Sequence, residues 1–154
     1  GFIQLLDQAL GEYEEKFEKS GLSPVCTAPD HELYVEADGR HLWRVIDNLL
    51  GNCVKYAMPG TRVYLDVKAW DGNVVLSVKN VSREPLNIPA DRLMERFVRG
   101  EESRTTEGSG LGLSIARSLT ELQGGTFRLD IDGDLFKAVV SFPECRALTA
   151  APPL

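Results

Sequence analysis

Residues 107–115 read EGSGLGLSI, with Gly108, Gly110 and Gly112 at alternate positions before an apolar helical pattern. This arrangement can hold phosphate. Glycine reaches backbone conformations closed to other residues, so several N–H groups can point at one anion. A helix that follows adds free amides and about half a positive charge at its N-terminus. Phosphate binds there without many basic side chains. Two well-known loops do not fit. The third glycine comes too early for a dinucleotide fingerprint and no strand leads directly into it; no Lys-Ser or Lys-Thr follows, as a Walker loop needs. The plain alternative is a loop whose glycines serve mobility.

A second polar set lies at 48–56, NLLGNCVKY. Asn48, Asn52 and Lys55 follow i, i+4, i+7 spacing and share one helical face. Asparagine is a poor residue for a helix interior. Two of them with a lysine suggest amide oxygens for a hard cation such as Mg²⁺ and an ammonium for phosphate. A solvated polar face is an equal alternative from this helix alone. Asn80 continues the core-facing row Val74, Leu76 and Val78. A polar group there is either buried with partners or lines a pocket, and the plain alternative, favoured without context, is that Asn80 opens a turn, as asparagine often does at strand ends.

The elements that must position these residues follow from periodicity. Phe2, Leu5, Leu6, Ala9, Leu10, Tyr13 and Phe17 predict a helix over 2–19, closed by Gly21. Residues 24–28 and 32–37 read as short strands around a Pro-Asp turn. Asp38 caps the next helix, which runs to about Tyr56 and presents Leu42, Val45, Ile46, Leu49, Leu50 and Cys53 inward. Two alternating runs from Arg62 and Val74 flank the turn Asp71-Gly72-Asn73. A short helix is expected near 91–97, then a helix from the glycine run to about Leu122, ended by Gly124-Gly125. A second hairpin turns at Asp132-Gly133-Asp134, and the Ala/Pro-rich 146–154 reads as a loose tail. The fold class is α+β: a two-layer sandwich, its mixed, mostly antiparallel sheet carrying about three helices on one face.

The 154 residues suit one domain, 1–145, before the tail. With a net charge of −6 and no Lys/Arg block, nothing points to a nucleic-acid surface, and no nucleic-acid partner is expected. Cys26, Cys53 and Cys145 are odd in number and far apart, which fits a reducing cytoplasm better than a disulfide framework or a metal site. No apolar run is long enough to span a bilayer, so no direct membrane contact is expected.

The order NLLGNCVKY, a strand ending at Asn80, ERFVRG at 95–100 and GSGLGL at 108–113 resembles the catalytic and ATP-binding domain of bacterial sensor histidine kinases. These belong to the superfamily with the gyrase, mismatch-repair and heat-shock chaperone ATPases, built on the Bergerat-type ATP-binding fold. The resemblance runs from about residue 2 to Pro143, and ESRTTEGSGLGLSIA and DLFKAVVSFP look like kinases of Gram-positive bacteria. It implies ATP and Mg²⁺ as cofactors and transfer of the γ-phosphoryl group to a histidine. By similarity Asn52 is the Mg²⁺ ligand, Asn48 supports the metal or its waters, Lys55 meets phosphate and Tyr56 lies against the nucleotide. Gly108, Ser109, Gly110, Leu111, Gly112 and Leu113 would close over the phosphates with backbone N–H groups. Phe97 would anchor a lid spanning 81–110, and Arg99 and Arg104 would steady the γ-phosphate. Asn48, Lys55 and Arg99 are thus the catalytic candidates.

Two departures matter. The family's adenine-reading aspartate, in an Asp-x-Gly-x-Gly box, is Asn80 here and the glycines are gone. Asparagine still accepts a hydrogen bond, without charge assistance. Gln123 stands where histidine is common, with little consequence expected. The hydrolytic relatives carry glutamate where Asn48 stands, so transfer to a partner is expected rather than hydrolysis. His31 begins like the acceptor box, but Tyr34-Val35-Glu36 does not continue it. The acceptor is therefore expected on a dimerisation domain outside this chain, in the cytoplasmic part of a membrane-bound kinase, with a response regulator as indirect partner. A degenerate nucleotide-binding or scaffold domain without kinase activity is the rival, and an anti-sigma serine kinase a third reading.

Overall fold

The computed structural model describes residues 1–86 and 111–145. The expected short helix at 91–97, most of the expected lid and the tail 146–154 lie outside the described residues. The elements run α1 (Phe2–Lys19), β1 (Ser23–Thr27), α2 (Gly39–Tyr56), β2 (Arg62–Trp70), β3 (Asn73–Val81), α3 (Leu111–Leu122), β4 (Thr126–Asp132) and β5 (Leu135–Pro143). The sheet order is β1-β2-β3-β5-β4. The β1–β2 pair is parallel and the other three pairs are antiparallel.

Side-chain alternation makes this two layers. Val63, Leu65 and Val67 of β2, Val74, Leu76 and Val78 of β3, and Phe136, Ala138, Val140 and Phe142 of β5 are buried on one face. The apolar stripes of the helices meet that face: Phe2, Leu6, Ala9 and Phe17 of α1, Leu42 to Cys53 of α2, and Leu113 and Ala116 of α3. The buried row of β2 ends at Val67, and Ala69 lies exposed at the sheet margin.

One expected strand is absent. Residues 32–37 make a single bridge, Val35 to Glu144. Their backbone is used as a tie instead. Phe2 N donates to Leu33 O at 2.8 Å and Cys145 N donates to Tyr34 O at 2.7 Å. The Glu32 carboxylate caps α1 from a distance, accepting from Ile3 N at 2.7 Å and Gln4 N at 2.9 Å, and also from Leu33 N at 2.8 Å. His31 sits in the bend before it, exposed and 3.3 Å from Asp30.

These caps make stability depend on acid. Partial burial would raise the Glu32 pKa, but the Ile3, Leu33 and Gln4 amides together hold it below the usual carboxylate range. The Arg40 and His41 amides do the same for Asp38. A folded-state pKa below the unfolded value stabilises above the unfolded pKa and loses that contribution as pH falls through the folded value. Glu32→Gln combined with Asp38→Asn is therefore expected to lower Tm near neutrality and to match the unaltered chain as pH falls from about 6 to about 3. Thermal melts across that range check it; a constant gap would contradict it.

Helix α2 is held at both ends. At its start Asp38 Oδ1 accepts from Arg40 N at 2.8 Å, and Asp38 N donates to Gln123 Oε1 at 2.7 Å. Gln123 Nε2 donates to Leu119 O at 3.2 Å. Gln123, which stands where histidine is common, thus ties the end of α3 to the start of α2. At the far end Met58 N donates to Val81 O at 2.7 Å and Arg83 N to Tyr56 O at 2.9 Å.

Candidate nucleotide site

The outer surface of α2 faces a cavity of about 570 Å³. Asn48, Asn52, Lys55 and Tyr56 line it together, and so does Gly112 from the first turn of α3. The i, i+4, i+7 pattern thus does present its polar groups to one space. The inward face of the same helix is core, with Leu49, Leu50 and Cys53 at most 2 % exposed. One helix therefore carries packing on one side and the candidate chemistry on the other.

Gly112 brings the α3 backbone against Asn48. A Cβ built there would lie 3.4 Å from Asn48 Oδ1. The Asn48 Nδ2 atom is buried without a hydrogen-bond partner among the described residues. Such a donor costs about 1–3 kcal/mol until an acceptor arrives. Lys55 Nζ stands 5.5 Å from the centroid of the Tyr56 ring. The Leu113 side chain is 1 % exposed and packs into the core, so any part it takes at the phosphates falls to its backbone N–H. Phe97, Arg99, Arg104, Gly108, Ser109 and Gly110 lie outside the described residues, as does the Leu111 side chain.

Asn80 does not line this cavity. It is 2 % exposed, on the inner side of α2, where the Cys53 thiol donates to its Oδ1 at 3.7 Å. Burial pushes the Cys53 thiol up to about 12, so it stays protonated and can donate. An expected turn residue would be exposed; the reading that buries Asn80 with a partner is the one the structure has.

Sequence reasoning missed one wall. Tyr13 and Lys16 of α1 line the cavity, with Asp47 and Gly51 beside them on α2. Tyr13 Oη donates to Asp47 Oδ1 at 2.6 Å and to Asp47 O at 3.0 Å. Burial, then the Asp47 carboxylate, raises the Tyr13 pKa, so the phenol stays a donor. Tyr13 was legible only as a core position. The available signals were a hydroxyl in an apolar row and a mid-helix glycine at 51, which helices disfavour without a packing reason.

Residues 37–145 match the family model described as histidine kinase-, DNA gyrase B-, and HSP90-like ATPase. The chain belongs to this family. Among curated relatives of this ATPase family, it is 35% identical over 109 residues to the sensor histidine kinase WalK of Bacillus subtilis, covering 66% of this chain and 17% of WalK. It is 31% identical over 115 residues to the sensor histidine kinase YcbM of the same organism, covering 73% of this chain and 37% of YcbM. The chain thus spans well under half the length of either relative. The solved structure of full-length ShkA in complex with AMPPNP superposes with a TM-score of 0.74 at 27% identity, covering 92% of this chain and 30% of that one. The histidine kinase-like ATPase fold is therefore the α+β sandwich described above. Among the described residues no helix is long and apolar enough to cross a membrane.

Proposed function

We propose that this chain is the ATP-binding catalytic domain of a two-component sensor histidine kinase. It transfers the ATP γ-phosphoryl group to a histidine on a dimerisation domain outside this chain. The observation that carries the reading is the single cavity shared by Asn48, Asn52, Lys55, Tyr56 and Gly112. The ShkA complex with a nucleotide analogue supports the same ligand class. The catalytic unit is 1–145, the point where the family model also ends.

Asn52 and Asn48 offer neutral amide oxygens, hard donors that suit Mg²⁺ when nucleotide phosphates and water complete its shell. The described residues hold no cluster of three His, Cys, Asp or Glu side chains that would bind a metal without the nucleotide. The buried Asn48 Nδ2 lacks an acceptor, and a phosphate or water oxygen would supply one. When bound, Mg²⁺ supplies charge neutralisation on the triphosphate. Lys55 adds a cation at the phosphates and Tyr56 a ring beside the nucleotide. Arg99 steadies the γ-phosphate, Phe97 anchors the lid, and Gly108, Ser109, Gly110, Leu111, Gly112 and Leu113 give backbone donors. No carboxylate stands at Asn48 to activate water, so the terminal phosphate waits for the histidine.

The rival, a nucleotide-binding scaffold without transfer, draws on Asn80, which is buried against Cys53 and off the cavity wall. One experiment separates them. The chain is mixed with Mg²⁺, γ-labelled ATP and a separate dimerisation domain bearing a histidine acceptor. Acid-labile label on that domain, with little free phosphate from the chain alone, is the expected result. Binding of ATP without any transfer favours the scaffold; no binding at millimolar ATP removes both.

A further inference from the structure

The cavity proposed to hold the triphosphate has a wall that neither the 48–56 segment nor the glycine run supplies. Helix α1 forms it through Tyr13 and Lys16. The Tyr13 ring is fixed to α2 by its two hydrogen bonds to Asp47, the residue before Asn48. Gly51 permits that approach: a Cβ there would stand 3.3 Å from Tyr13 Oη. Lys16 Nζ in turn lies 4.7 Å from the centroid of the Tyr13 ring. A cation over an aromatic face is held by the ring's quadrupole and loses part of its rotamer freedom before any ligand arrives. The chain of contacts Asp47–Tyr13–Lys16 therefore positions an ammonium relative to the face that carries Asn48 and Asn52.

Among the described residues the charges lining this space are Lys16, Lys55 and Asp47, and the Asp47 carboxylate already accepts from Tyr13. Two ammonium groups on different helices then face one cavity. A ligand with several negative charges along a short chain is the chemistry that gains from both.

We infer that Lys16 is a phosphate-binding residue of the nucleotide site, set in place by Tyr13, so that α1 completes the grip on the triphosphate begun by α2. The inference rests on the nucleotide reading above. It assigns to α1 a part in binding that its sequence pattern, an amphipathic helix with a basic last turn, does not announce.

The test compares ligands that differ only in phosphate number. The full chain and its Lys16→Gln, Lys16→Arg and Tyr13→Phe variants are titrated calorimetrically with ATP and Mg²⁺. AMP affinity is measured by competition. Lys16→Gln is expected to weaken ATP about 5- to 10-fold, the scale of one charge-assisted contact, and AMP less than about twofold. Lys16→Arg should recover most of the loss, and Tyr13→Phe should give a smaller loss of the same kind. Equal weakening of ATP and AMP by Lys16→Gln would mean a structural role and would overturn the inference. So would an unchanged ATP affinity. Failure of the unaltered chain to bind ATP would instead overturn the nucleotide reading beneath it, and the inference with it.

Discussion

Gly125→Ala should cost about 3 kcal/mol or more of folding stability, a large share of the total for a domain of this size. A Cβ at 125 would overlap the carbonyl oxygen of Ser141 and stand 3.1 Å from both Phe142 Cδ1 and Thr120 Cγ2. None of these can yield cheaply. Ser141 pairs with Thr126 in the β4–β5 ladder, and Phe142 and Thr120 are at most 1 % exposed. Gly125 N also donates to Thr120 O at 3.0 Å, so the backbone that would have to retreat closes the end of α3. The neighbouring Gly124 gives the contrast. It has φ +82 and open space around its Cβ position, so Gly124→Ala should cost only the left-handed penalty, about 1 kcal/mol. Urea midpoints of the two variants measure the difference. Equal midpoints would show that β4 can slide away from the helix.

Asn52→Ala is expected to act in the opposite sense, harming binding and sparing the fold. Alanine is the better helix former by several tenths of a kcal/mol, so the melting temperature should hold or rise slightly. If Asn52 ligates Mg²⁺, its loss should weaken Mg²⁺-supported ATP binding by about 100-fold or more, since even outer-sphere partners of a metal commonly account for 10- to 100-fold. ATP affinity measured with EDTA should change little. Calorimetry in the two conditions reads both arms. A variant that keeps its full Mg²⁺ enhancement would remove Asn52 from the metal site.

Much of this was legible in the sequence because helices and hairpins are written locally. Asp38 announced the start of α2, the spacing of Leu42 to Cys53 its buried face, and Asn48, Asn52 and Lys55 its outer one. The turns at Asp71-Gly72 and Asp132-Gly133 placed both hairpins. What failed was non-local. Leu33 and Val35 alternate like a strand, yet among the described residues the segment makes only the single bridge of Val35 to Glu144, with Leu33 O accepting from Phe2 N and Tyr34 O from Cys145 N. The parallel pairing of β1 with β2 depends on α2 crossing between them, which no window of sequence contains. The α1 wall stayed hidden for the same reason: Tyr13 fits the core stripe, and only the packed helix pair reveals its hydroxyl on Asp47. Asn80 was legible as an oddity, and its partner Cys53 was not.

Helix α2 resembles a beam clamped at two supports, one through Gln123 and the other through the backbone of Val81 and Arg83. A beam held at one end can slide along its axis or turn about it, and a turn of one residue would swing Asn52 by about 100°. Clamping both ends removes both freedoms. The spacing between amide and ammonium groups along the outer face is then a fixed ruler, and a ligand must conform to it rather than the reverse.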